Sequence, residues 1–65
     1  MRFVLLHRNN EAKRTIAVNP LRIKQLVKHE DCTVIYYSDE NPPMYDEVVE
    51  DFETVLAEIN NSIND

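Results

Sequence analysis

The apolar residues of this chain change their spacing once, and that change restricts the fold more than any other feature. Early on they alternate. Phe3, Leu5 and His7 fall on one side of an extended segment, and Val4, Leu6 and Arg8 on the other. After the turn signal Arg8–Glu11, Arg14, Ile16 and Val18 share a face. Period two is the mark of a β-strand. Later, Val48, Phe52, Val55, Leu56, Ile59 and Ile63 recur largely at three- and four-residue steps, with Glu50, Glu53, Glu58 and Asn60 elsewhere. That spacing predicts an amphipathic helix. Asp51 suits its N-cap and Glu53 its electropositive first turn, with Asp46 as the cap of a longer helix. Strands followed by one such helix predict an α+β fold: a small antiparallel β-meander of three to five strands, with the C-terminal amphipathic helix packed on the sheet.

The chain contains no glycine, so its turns must use Asn, Asp and Pro. Asn9 and Asn10, which tolerate left-handed conformations, join the first two β-rich runs as a hairpin. Residues 20–29 admit two readings. Asn19 before Pro20 is a helix start, with Ile23, Leu26 and Val27 on one face. Read as a strand, Ile23 and Val27 oppose Arg22, Lys24 and Lys28. Cys32–Ser38, rich in β-branched and aromatic residues, reads as a strand, and the prolines of Ser38–Pro43 end it. Residues 44–49 are a fifth strand or the first helical turns. The whole is one domain, 1–65, with a sheet-rich basic part (1–38) and an acidic part (44–63) carrying the helix.

A 65-residue chain buries only about 60% of its unfolded surface, so its stability is marginal. Such domains add staples. With Cys32 as its one cysteine, the chain forms no internal disulfide, and Cys32 reads as a small buried residue of a reduced compartment. Association with further copies is then the expected staple, giving a homo-oligomer. No segment approaches the roughly 20 apolar residues of a membrane span, and the apolar run after Arg2 is too short for a signal peptide. The expectation is a soluble, cytoplasmic protein that does not engage a membrane.

Charge is segregated along the chain. All seven Lys and Arg residues lie at or before Lys28, and eleven of the twelve acids at or after Glu30. The first 29 residues sum to +6 (seven minus one) and the remaining 36 to −11. Such asymmetry points to a partner of defined charge, or to the two halves facing one another within a subunit or between subunits. The candidate protein-contact residues are Arg14, Arg22, Lys24, Lys28, Glu47, Glu50, Glu53 and Glu58.

Residue chemistry argues against catalysis. The soft metal ligands His7, His29 and Cys32 lack the clustered spacing a metal requires. Cys32 with His29 is the one nucleophile–base pair near in sequence, and no glycine-rich loop exists for an oxyanion or a phosphate. The carboxylates lack an evident pocket to raise a pKa. No catalytic residue, metal or cofactor is expected. Arg8, Lys13, Arg14, Arg22, Lys24 and Lys28 with Tyr36 or Tyr37 have the chemistry to meet a nucleic acid, but the net charge of −5 opposes it. The expected function is a non-enzymatic protein-interaction or regulatory module acting through a charged surface. The alternative is an acidic mimic of DNA phosphates that inhibits a DNA-binding protein, of the kind phages encode.

The stretch Leu5–Pro20, with its strand, Asn-containing turn, second strand and Asn-Pro corner, resembles the opening of the small FlbD/SwrD-type flagellar and swarming-motility proteins. The likeness continues through Ile23, Leu26, Asp31–Ile35 and Val48–Ile59, about 55 residues. It implies a β-meander with one C-terminal helix, no enzyme activity and a role through protein contacts. Asn10 and Asn41–Pro43 stand where that family has hairpin glycines.

Overall fold

A computed structural model describes residues 1–64 of the chain. Five strands precede one helix: β1 (Val4–His7), β2 (Thr15–Val18), β3 (Gln25–Lys28), β4 (Thr33–Tyr36), β5 (Tyr45–Val48) and α1 (Phe52–Ile63), with a 3-10 turn at Pro20–Arg22. The α+β class with a helix docked on antiparallel strands is as expected. β1 and β2 form one antiparallel ladder, and β3-β4-β5 another.

Main-chain alternation joins the two ladders. The Arg8 N–H donates to Arg14 O at 2.9 Å, toward β2. On the opposite edge, Asn9 N–H donates to Glu47 O at 2.8 Å, and Val49 N–H to His7 O at 2.9 Å. Alternate residues of one strand point their hydrogen-bonding groups to opposite sides. The end of β1 therefore pairs with β2 on one edge and with β5 on the other, and the strands follow one another as β2-β1-β5-β4-β3. β2 and β3 are left as the outer strands.

β4 lies at the centre of its ladder, and Thr33, Val34 and Ile35 are all buried. A continuous β-branched run suits a strand covered on both faces. Val4, Leu6, Val18, Ile35, Val48, Val55 and Ile59 make one core between sheet and helix. Asp51 caps α1 as the sequence predicts: its Oδ1 accepts the Thr54 N–H at 2.8 Å. The hydrogen bonds from Thr54 hold the Asp51 carboxyl below the usual range.

Several expectations are corrected. The inward stripe of α1 is Phe52, Val55, Ile59 and Ser62, while Leu56 and Ile63 are exposed. Steps of three, four and three stay centred on one face, and the last position approaches the main chain of the N-terminus, where Arg2 N–H donates to Ser62 O at 3.2 Å. A small Ser fits that approach. In the first turn the left-handed residue is Lys13 (φ 47°), neither Asn9 nor Asn10. Asn10 instead receives the Lys13 N–H on both its main-chain and side-chain oxygens, at 3.2 and 3.0 Å, an Asx-type turn. Cys32 is half-buried.

The ambiguous segments divide. Asn19 caps only the 3-10 turn, its Oδ1 accepting from Leu21 N–H at 3.0 Å, and Ile23 returns the chain to extended geometry. Residues 25–28 and 45–48 are strands because β4 offers each a ladder. We expect Ile35→Ala to cost about 2–5 kcal/mol of unfolding free energy by urea titration. Leu56→Ala should cost about 1 kcal/mol or less, because partial burial is offset by the helix propensity of Ala. Equal losses at the two positions would contradict the stripe described here.

Candidate protein-contact site

The segregated charges meet in space. Arg8 Nη2 donates to Asp46 Oδ1 at 2.9 Å, Lys24 Nζ to Asp39 Oδ1 at 3.2 Å, and Lys28 Nζ to Glu53 Oε1 at 3.4 Å. His7 Nδ1 lies 2.8 Å from Glu50 Oε2. Each pair takes its basic member from the first 29 residues and its acid from the rest, all within one chain. Of the candidate contact residues, Lys24, Lys28, Glu50 and Glu53 are thus engaged. Arg14, Arg22, Glu47 and Glu58 are exposed and carry no ion pair among the described residues. Glu47 enters the fold through its main chain alone, as the acceptor of Asn9.

Glu50 is more than a surface charge. Its Oε1 accepts the His7 main-chain N–H at 3.0 Å while its Oε2 faces the His7 ring. Its main-chain oxygen accepts from the buried Thr33 hydroxyl at 2.9 Å. Partial burial pushes the carboxyl up, but the hydrogen bonds from the His7 ring and main chain outweigh it and hold the group below the usual range. Lys24 does the same for the exposed Asp39 through its side-chain hydrogen bond.

A second constellation was not foreseen from the sequence. Asp46 holds Arg8 with one oxygen and accepts the Tyr37 hydroxyl with the other, at 2.9 Å. Burial, then the hydrogen bond to Asp46 and its charge, push the Tyr37 phenol up, against a smaller opposing effect of Arg8. The phenol is thereby held as a donor. A signal for this group exists in the strand period. Arg8 shares a side with Val4 and Leu6, and Asp46 with Val48, so each strand turns one charge inward at the same end of the sheet.

Arg8, Asp46 and Tyr37 border a wide groove of about 680 Å³. Ile16–Asn19 of the β2 side form one wall, and Ser38, Glu40 and Met44 lie across it, with Phe3 and Arg22 also at its surface. Apolar walls around a few fixed polar groups suit a polypeptide or small molecule. Tyr36 and Tyr45 make a separate tilted ring pair, centroids 5.7 Å apart. Among the described residues, no group of three or more His, Cys, Asp or Glu gathers as a metal site, and no helix is long and apolar enough to cross a membrane.

Comparison with protein-family models, with curated proteins and with solved structures finds no match to the chain.

The pH dependence follows from Glu50. Its folded pKa lies below the ordinary 4.5, so its contribution is present above about 4.5 and is lost as pH falls through the folded value. We expect Glu50→Gln to unfold at lower urea than the wild type at pH 7, with the gap narrowing as the pH drops below 4.5. A gap that stayed constant into acid would show that the carboxylate is not the stabilising form.

Proposed function

We propose that this chain is a non-enzymatic protein-interaction module with a regulatory role, cytoplasmic, and acting through a charged surface as a homo-oligomer. The observation that carries the reading is how the charges are divided. Three basic side chains are tied to carboxylates of the same chain. Lys13, Arg14 and Arg22 carry no ion pair among the described residues, and all three lie close along the chain to β2. Glu47 and Glu58 extend from β5 and α1. Exposed charges left unpaired within a subunit are the ones that steer and select a partner.

The non-enzymatic reading draws support from how the titratable groups are used. Glu50 ties His7, Asp51 caps α1, and Asp46 joins Arg8 to Tyr37. The groups with a displaced protonation equilibrium, Tyr37, Asp39, Glu50 and Asp51, each have a hydrogen bond within the chain that contributes to it. Tyr37, its proton retained, is a poor general base. Homo-oligomerisation is supported by Leu5, Leu21, Met44 and Tyr45, each more than half exposed in a chain with a small core. The reading as a DNA mimic draws less support, because Asp39, Asp46, Glu50 and Glu53 are drawn into pairs with basic side chains of the same chain.

Two measurements test the proposal. Sedimentation at micromolar concentration should show a species larger than the 7.7 kDa chain, and a particle of that mass alone would rule out the homo-oligomer. Affinity capture of a partner from native lysate should be lost in the double variant Arg14→Glu/Arg22→Glu. Equal capture by variant and wild type would remove the charged surface from the reading.

A further inference from the structure

We propose that β2 accepts an extended, acidic segment of a partner protein as an added strand; this rests on the reading of the chain as a protein-interaction module. The first support is the free edge itself. Arg8 bonds to Arg14 across the hairpin, and the β1–β2 register places Leu6 opposite Ile16 and Val4 opposite Val18. By alternation these are the hydrogen-bonded pairs. The N–H and C=O groups of Thr15 and Ala17 therefore point away from β1, without a main-chain partner among the described residues.

The second support is the contrast between the two outer strands. Natural sheets blunt an exposed edge with lysines, prolines or local irregularity. β3 is blunted in this way. Lys24 immediately precedes it, Lys28 is its last residue and is bridged to Glu53 of α1, and Lys24 N–H donates to Tyr36 O although the register pairs Tyr36 with Gln25. β2 reads Thr-Ile-Ala-Val, with no charge or proline within the strand and no bridge to another element; its nearest cations, Lys13 and Arg14, and its nearest proline, Pro20, lie outside it. One edge is defended and the other is left open.

The third support concerns the occupant. Strand addition draws affinity from the main chain and specificity from pockets for alternate side chains. The groove beside β2 supplies apolar walls from Ile16, Val18, Phe3 and Met44. Of the cations without ion pairs, Arg22 lines the groove, and Lys13 and Arg14 stand along the chain immediately before β2. Of the carboxylates at the groove, Asp46 is taken up by Arg8 and Tyr37, and Glu40 carries no ion pair among the described residues. An incoming strand with carboxylates at its ends and small apolar residues between them matches this arrangement. A second copy of the chain paired about Ala17 matches it poorly. Two-fold pairing centred on Ala17 sets Lys13 opposite Leu21 and Arg14 opposite Pro20 of the other copy, which crowds these cations against its Arg22.

The test uses the full chain, labelled for amide hydrogen exchange, with the heptapeptide Asp-Glu-Val-Thr-Val-Glu-Asp and a counterpart in which every acid is Lys. The acidic peptide should slow exchange at Thr15 and Ala17 by about tenfold or more at saturation, and the lysine peptide should not. Arg14→Glu/Arg22→Glu should weaken the acidic peptide about tenfold. Ala17→Pro removes an N–H that β1 does not use and should abolish the slowing at Thr15; the charge variant keeps the test decisive should the proline variant not fold. The proposal is overturned by an absence of slowing, by equal slowing with the lysine peptide, or by protection at Leu26 and Lys28 instead. Slowing that grows with protein concentration without peptide would assign the edge to a second copy and overturn it too. Should the peptide fail while charge-dependent partner capture persists, the strand site falls and the interaction module stands; loss of both removes the module.

Discussion

The main chain of β1 serves two ladders, and the rest of the architecture depends on that division. Its even-numbered residues bond toward β2, while His7 and Asn9 bond toward β5. A lone two-stranded hairpin is marginal in water. The bridge between Arg8 and Val48 sets the two-stranded sheet beside the three-stranded one, and α1 packs on the core that the two share. The joint is also where a ladder would leave main-chain groups exposed, because β5 ends at Val48. Glu50 fills that gap by accepting the His7 N–H. A carboxylate stands in for the next carbonyl of a strand that has turned away into the helix.

The same joint explains why the charges are segregated along the chain. β1 is the first strand and β5 the last, so their contact brings the basic N-terminal part against the acidic C-terminal part. Arg8–Asp46 and His7–Glu50 both lie beside it. Exposed pairs of this kind contribute about 0–1 kcal/mol each, too little to hold the fold against its conformational entropy. Their larger effect is on register. A slip of one residue between β1 and β5 would turn Asp46 and Val48 to the opposite face, exposing the valine and separating Asp46 from both Arg8 and Tyr37.

Much of this was legible in the sequence. Period-two runs marked both hairpin strands, the β-branched run marked β4, and Asp51 marked the start of α1. Several of the errors share a cause: local pattern does not say how closely two elements approach. Leu56 outranks Ser62 in hydrophobicity, yet Ser62 is buried because α1 meets the N-terminal main chain there. Pro20 after Asn19 is a sound helix start, but the ladder offered by β4 limits it to a single 3-10 turn. Likewise, candidate contact residues chosen for charge alone mixed two populations. Lys24, Lys28, Glu50 and Glu53 are spent on the fold, and nothing in their spacing distinguished them from Arg14, Arg22, Glu47 and Glu58. The inward pair Arg8 and Asp46 was visible only by carrying the strand alternation one residue past the apolar run in each case.

A sheet of this size has two faces and two outer strands to protect, and a single 12-residue helix covers only part of one face. The chain manages what remains unevenly. Beyond the helix, the inner face closes its floor with Arg8, Asp46 and Tyr37, whose polar groups satisfy one another without filling the groove above them. β3 carries lysines and a bridge to α1. β2 carries no such device, although Lys13 and Arg14 stand immediately before it and one of them in the strand would have blunted the edge. Placing those cations before an uncharged strand leaves the main chain of Thr15 and Ala17 accessible, with Lys13 and Arg14 ahead of it along the chain and Arg22 beyond its other end. If the edge takes a partner strand as proposed, these cations, in a protein whose net charge is −5, would select for opposite charge where hydrophobicity alone would not.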